Sequence, residues 1–267
     1  MSLIYFTKTS IGYSHLNCGK LCQDFSATYH DDDRTVITAC DGHGGNIYVR
    51  SHKGSQFASD AIMHVFTRLK SNVFSKLTCE EVAQKLRLNI LCEWNALVEK
   101  DVVAHPFDES ELATLSDEER FRLKSNGVKA YGSTLNGAMV LGDKLVCVNL
   151  GDGGVFLLNK GAIAAAFDEE DEEPVANVTF SLCQEDAYKH IKVGIFDVNT
   201  IDGVLICTDG LVNPYQNVSN FNQSFVQPVR ALANRGRLDK IEQFVVKFGA
   251  EIGIGDDVSL GLMIFKK

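Results

Sequence analysis

The chain has 267 residues, 45% of them hydrophobic and 23% charged, and a formal net charge of −9. A chain of that length buries roughly three quarters of its unfolded surface, and its composition is that of a globular protein, which excludes disordered and fibrous classes. No run approaches the roughly 18 apolar residues of a membrane span, no basic stripe offers a nucleic-acid footprint, and Met1–Lys8 lacks the apolar centre of a secretory signal. The expectation is a soluble, cytoplasmic protein that engages neither membrane nor nucleic acid.

Strands are predicted first, over 4–11, 25–30 and 35–40, with Asp31-Asp32-Asp33 turning between the last two. A helix follows from about 46 to 70, where Ala58, Ile62, Val65, Phe66 and Leu69 recur at helical spacing. Thr78-Cys79-Glu80-Glu81 has the form of a capping box. It starts a helix to about 98 with Val82, Leu86, Ile90 and Leu97 on one face. Ser116-Asp117-Glu118-Glu119 starts a shorter third helix.

After Gly127 the pattern returns to strands. Segments 134–141 and 144–150 join across Gly142-Asp143, and 155–159 and 162–167 across Lys160-Gly161. Six acids, Asp168 to Glu173, form one run that reads as a solvated loop. A strand at 203–208, helices at about 221–234 and 238–252, and a last strand at 258–265 complete the chain. Strands that succeed one another across short turns favour antiparallel pairing. The expected class is therefore α+β: an antiparallel β-sandwich of two facing sheets with helices outside, in one domain over 1–267. Cys40, Cys147 and Cys207 fall inside apolar strands, as small hydrophobes do. Cys18 and Cys22 make a half site with no second pair, so structural zinc is not expected.

The chemistry lies in where aspartates fall. Strand 35–40 runs into Asp41-Gly42, 144–150 into Gly151-Asp152-Gly153, and 203–208 into Asp209-Gly210. Asp256-Asp257 leads into the last strand and Asp24 precedes the second. One Asp-Gly pair is ordinarily a turn. Several at strand ends converge on one rim, where carboxylates repel one another and resist ionisation. Hard divalent cations such as Mg²⁺ or Mn²⁺ relieve that repulsion. Glycine after Asp allows close backbone approach, so the Gly42 carbonyl is also a candidate ligand. His43, in the glycine-rich loop beside Asp41, is a ligand or an acid–base group.

Asp41-Gly42-His43-Gly44-Gly45 resembles the Asp-Gly-His-x-Gly signature of the protein phosphatase 2C family, the metal-dependent Ser/Thr phosphatases. Gln23-Asp24, Gly132-Ser133-Thr134, Asn149-Leu150-Gly151-Asp152-Gly153, Thr208-Asp209-Gly210-Leu211 and Asp256-Asp257-Val258-Ser259 are similar to that family's other blocks, in the same order over 12–265. Gln-Asp after a cysteine looks like a bacterial branch. The resemblance implies an α-β-β-α sandwich that removes phosphate from phosphoserine and phosphothreonine in proteins, with water activated by two Mn²⁺ or Mg²⁺ ions. It assigns Asp41 and the Gly42 carbonyl, with Asp209 and Asp256, to the two core ions, and counts Asp24 among the acidic metal residues. Asp152 matches an accessory position for a third ion, and His43 the group that protonates the leaving oxygen.

The sequence departs from that pattern at three places. Gln23 replaces the usual Glu and keeps only an oxygen acceptor for a metal-bound water. Gly19 falls where the family has its phosphate-binding Arg, which leaves Arg50, Lys20 and His15 as candidate cations. Asn213 stands where many members carry a further Asp. These departures motivate a second reading, a same-fold regulatory or binding module, and a third is another two-metal phosphoesterase. The oligomeric state is not encoded in any motif.

Overall fold

The computed structural model describes residues 2–167 and 179–266. The acidic run Asp168–Glu173 lies outside them. Among the described residues ten strands form two five-stranded antiparallel sheets. In chain order they are β1 (Ser2–Ser10), β2 (Phe25–His30), β3 (Arg34–Cys40), β4 (Leu135–Leu141), β5 (Lys144–Leu150), β6 (Gly154–Asn159), β7 (Ala162–Ala165), β8 (Lys192–Asp197), β9 (Gly203–Cys207) and β10 (Val258–Lys266). One sheet has the order β1-β10-β9-β6-β7, the other β2-β3-β4-β5-β8.

Three cores explain the layers. Ile37, Ala39, Ala138, Cys147, Ile206 and Met263 meet between the sheets. Val36, Cys40, Val146 and Val148 face the other way, against Ile62, Phe66, Leu86 and Trp94. Those four belong to α2 (Ser51–Arg68) and α4 (Cys79–Ala104), which follow α1 (Tyr13–Cys18) and α3 (Val73–Lys76). On the far side Leu260, Leu262 and Ile264 pack on Phe221, Phe225, Ile241 and Val245 of the C-terminal helices. The inner strands are covered on both faces, which is why they read as unbroken apolar runs. The layers are α-β-β-α.

The helix starts follow the local chemistry. Thr78 with Glu81 and Ser116 with Glu119 both form the reciprocal capping box. Several features depart from the expectation. The segment 46–50 is turn, and α2 begins at Ser51. α1 and β8 were not foreseen. α1 is six residues long with no buried side chain, and β8 is half-buried throughout, so neither carries a strong hydrophobic period. Among the described residues no helix is long and apolar enough to cross a membrane.

Candidate metal centre and active site

Sheet topology gathers the aspartates. β3 and β5 both pair antiparallel with β4, so their C-terminal ends point the same way and deliver Asp41 and Asp152 to one edge. β9 pairs antiparallel with β10, with Cys207 opposite Leu260, so Asp209 beyond one strand lies near Asp256 before the other. Gly210 permits that approach, because a Cβ there would strike the Asp257 carbonyl. Carboxylate oxygens of Asp41, Asp152 and Asp209 lie within 4.8 Å of one another. Together with Asp256 they line a cavity of about 430 Å³ that His43, Gln23, His15 and Lys20 also border.

The backbone around Asp41 is fixed on both sides. Its N–H donates to Thr134 Oγ1 at 3.0 Å, and its carbonyl accepts from the Thr134 N–H at 2.8 Å. The Gly42 N–H donates to the Gln23 carbonyl at 3.0 Å. A Cβ at Gly42 would run into the carbonyls of Gln23 and Ser51, so only glycine fits this loop. The His43 N–H donates to the Gly132 carbonyl at 3.1 Å, and the His43 ring lies against Tyr48, with centroids 5.0 Å apart. Thus the Gly132-Ser133-Thr134 block acts as the cradle of the Asp41–His43 loop.

Electrostatics mark the cluster as a place for cations. Burial, and then the charge of Asp209, push the Asp41 carboxyl up to about 8. Burial and Asp152 raise Asp209 to about 7, and burial raises Asp256. Burial lowers the His43 imidazole, and its Nε2 is buried with no partner. Gln23 Oε1 is likewise buried and unpartnered, while its Nε2 donates to Ser51 Oγ at 2.6 Å and to the His43 carbonyl at 3.2 Å. Crowded carboxylates without a countercharge, beside an oxygen without a partner, are the ligand set that Mn²⁺ and Mg²⁺ take. The residues present therefore fit these ions.

The protein phosphatase 2C family model matches residues 11–245. The chain belongs to that family. The serine/threonine phosphatase Stp of Listeria welshimeri is 24% identical over 199 residues, 68% of this chain and 68% of that protein. The S. agalactiae serine/threonine phosphatase shares the fold at a TM-score of 0.65 and 16% identity, over 99% of this chain and 100% of that one. The catalytic domain of the phosphatase PstP, solved with two manganese ions, does so at 0.58 and 16%, over 98% and 99%.

Within this phosphatase 2C chain, two of the residues picked out from sequence do not reach the cavity. Arg50 is 3% exposed and its guanidinium is fully engaged. Nε and Nη2 donate to the two Glu111 oxygens at 2.6 and 2.7 Å, and Nη1 donates to the His105 carbonyl and the Tyr131 hydroxyl. It is a buried clamp, and the phosphate role fails for lack of a free donor. Asp24 lies beneath the floor. Phe25 pairs with Cys40, so the next residues outward, Asp24 and Asp41, stand side by side. Thr208 Oγ1 donates to Asp24 at 2.7 Å, and burial with the Asp41 charge holds the Asp24 carboxyl well above its usual range. Asp24 is a support under Asp41 and does not line the metal cavity.

His15 and Lys20 do reach the rim. His15 Nδ1 stands 2.9 Å from Asp257 Oδ2, an ion-pair approach off the line of a hydrogen bond. Asp257 also accepts from the backbone N–H groups of Gly12 at 2.7 Å and Gln23 at 2.6 Å, which ties both N-terminal segments to β10. In the sequence Asp257 stands out only as the second acid of the block Asp256-Asp257-Val258-Ser259. Thr179 Oγ1 donates to Asp152 at 2.5 Å, and Asn213 Nδ2 to Asp209 at 3.1 Å. Thr179 sits in a stretch without a motif and had no signal.

Proposed function

We propose that this metal-dependent serine/threonine protein phosphatase holds its Mn²⁺ or Mg²⁺ ions on Asp41, Asp209 and Asp256 with the Gly42 carbonyl. Asp152 stands beside them and would hold a third ion, and Gln23 Oε1, buried and unpartnered at the cavity, would accept from a water of that centre. The observation that carries the reading is the cluster of Asp41, Asp152 and Asp209, with carboxylate oxygens within 4.8 Å of one another and the Asp41 and Asp209 carboxyls raised by burial and neighbouring charge. Cations bound there supply charge neutralisation and an acidified water. His43, with Nε2 free and an imidazolium made more acidic by burial, is the proton donor to the serine or threonine leaving oxygen. Lys20 provides positive charge toward the incoming phosphate on a carboxylate-rich rim, and His15, held close to Asp257, borders the same approach.

We read residues 1–267 as one domain, since all three cores are built on the two sheets. All eight cysteines are free, which suits a reducing cytoplasmic setting. The substrate is a phosphorylated protein. The retained Asp41, His43, Asp209 and Asp256 weigh against a purely regulatory module. The test is turnover of a phosphothreonine peptide: it should vanish in excess chelator and return with Mn²⁺. His43→Ala should slow it roughly 10²–10⁴-fold, and less so p-nitrophenyl phosphate, whose leaving group hardly needs a proton. Full turnover in chelator, or equal losses on both substrates, would reject these assignments.

A further inference from the structure

The catalytic cavity adjoins a second one. Lys20, Gln23 and Gly44 wall both, and the second encloses about 290 Å³. Its other walls include Leu21, Tyr48, Val49 and His52. The two cavities differ in chemistry. Four carboxylates line the catalytic one, whereas among the described residues none lines the second. Burial lowers the His52 imidazole and raises the Tyr48 phenol, so both are neutral near pH 7. Leu21 is 65% exposed, an aliphatic side chain standing in water beside a hollow in which no carboxylate is found among the described residues.

What covers it follows from the reaction. A phosphoresidue whose phosphate reaches the aspartates must carry its own chain across the wall shared by the two cavities. An extended peptide advances about 3.3 Å per residue, so the side chain one or two positions away arrives over Leu21 and Tyr48. Resting on the phosphatase reading above, we propose that this second cavity receives an aliphatic or aromatic side chain flanking the phosphoserine or phosphothreonine of the substrate. It thereby sets the sequence preference of the enzyme. An acidic neighbour is opposed by the carboxylate-rich rim of the adjoining cavity. A basic neighbour would find no carboxylate among the described walls of this cavity and would meet the Lys20 ammonium.

The test uses the full-length enzyme with Mn²⁺ and phosphothreonine peptides that differ only at the two positions on either side, carrying Leu or Phe, Glu, or Lys. The apolar peptides should exceed the Glu peptides in kcat/KM by about tenfold, the discrimination a hydrophobic pocket delivers. Leu21 is exposed, so charge can be placed there without breaking a core. Leu21→Glu should shift the preference toward Lys-flanked peptides, and Leu21→Lys toward Glu-flanked ones. Equal kcat/KM across the series, or an unchanged order of preference in both variants, would overturn the proposal. Loss of p-nitrophenyl phosphate hydrolysis in the unsubstituted enzyme with Mn²⁺ would instead fell the phosphatase reading itself, and this proposal with it.

Discussion

Asp41 and Arg50 lie on one loop between β3 and α2, and each anchors a cluster of buried charge, but the two clusters have opposite electrostatics. Around Arg50 the countercharges are part of the chain. Glu111 accepts twice from the guanidinium, Asp101 lies 3.6 Å from Nη1, and the Tyr131 hydroxyl donates to Asp101 at 2.6 Å. The Arg50 hydrogen bond holds Glu111 below the usual carboxylate range. Burial pushes Asp101 up, but hydrogen bonds from Tyr131 and Lys53 more than offset it. Around Asp41 burial and like charge act together, and the carboxyls rise. The same side chains thus build a finished structural network in one place and an unfinished one in the other. What completes the second must come from outside the chain, as a cation.

The sharpest way to break that contrast is to remove one carboxylate from the unfinished cluster. Asp41→Asn should lower phosphatase turnover by roughly 10³-fold, the scale of losing a group that acts on transition-state charge. Because Asp41 is repelled where it stands, the same change should leave the cation-free fold at pH 8 no less stable than before. Calorimetry with Mn²⁺ and a thermal melt in chelator would measure both. Tight Mn²⁺ binding retained by Asp41→Asn would show that the cluster is not organised around this residue.

Arg50 gives the mirror experiment. Arg50→Met leaves Glu111 and Asp101 without their cation inside the protein, and breaking a buried pair of this kind costs about 3–5 kcal/mol. The expected signature is a large fall in the chemical-denaturation midpoint, with metal affinity retained in the folded fraction. A midpoint that stays put while KM for a phosphopeptide rises would restore Arg50 to the phosphate role that its position after the Asp-Gly-His loop suggests.

That error marks where the sequence stops being informative. Strand periodicity and Asp-Gly endings are local, so β2 and β5 emerge at the same bounds by either route, and Asp41, Asp152, Asp209 and Asp256 are found together on one cavity. Whether a charged side chain faces the cavity depends on partners far along the chain. Glu111 for Arg50 is one case, Thr208 for Asp24 another, and Asp257 for His15 a third. None of those separations leaves a periodic trace. The geometry also draws Asp152 into the tightest trio, closer than an accessory assignment by motif implies. α1 escaped for a related reason, since its role is to carry His15 to the rim and not to bury apolar surface.

The gentlest probe of the contrast is pH. Asp41 and Asp209 have folded-state values of about 8 and 7, above the roughly 4 of an unfolded carboxyl. The cation-free fold binds those protons more tightly than the unfolded chain. Its advantage is complete below about pH 4 and is lost as the pH climbs through 7 to 8. Bound Mn²⁺ removes the repulsion only where the carboxyls would be charged, so the rise in Tm on adding Mn²⁺ should grow from pH 5 to pH 8. For a chain of this size each kcal/mol is worth about 2–4 °C. Glu111 runs in the opposite sense, since its depressed value gives stability that is present above about pH 4 and fades in acid as the pH falls through its folded-state value. Melts of the wild type with and without Mn²⁺, set against Arg50→Met, separate the two. If the Mn²⁺ increment is flat from pH 5 to pH 8, the carboxylates at the strand ends do not bear the charge that the cations are there to balance.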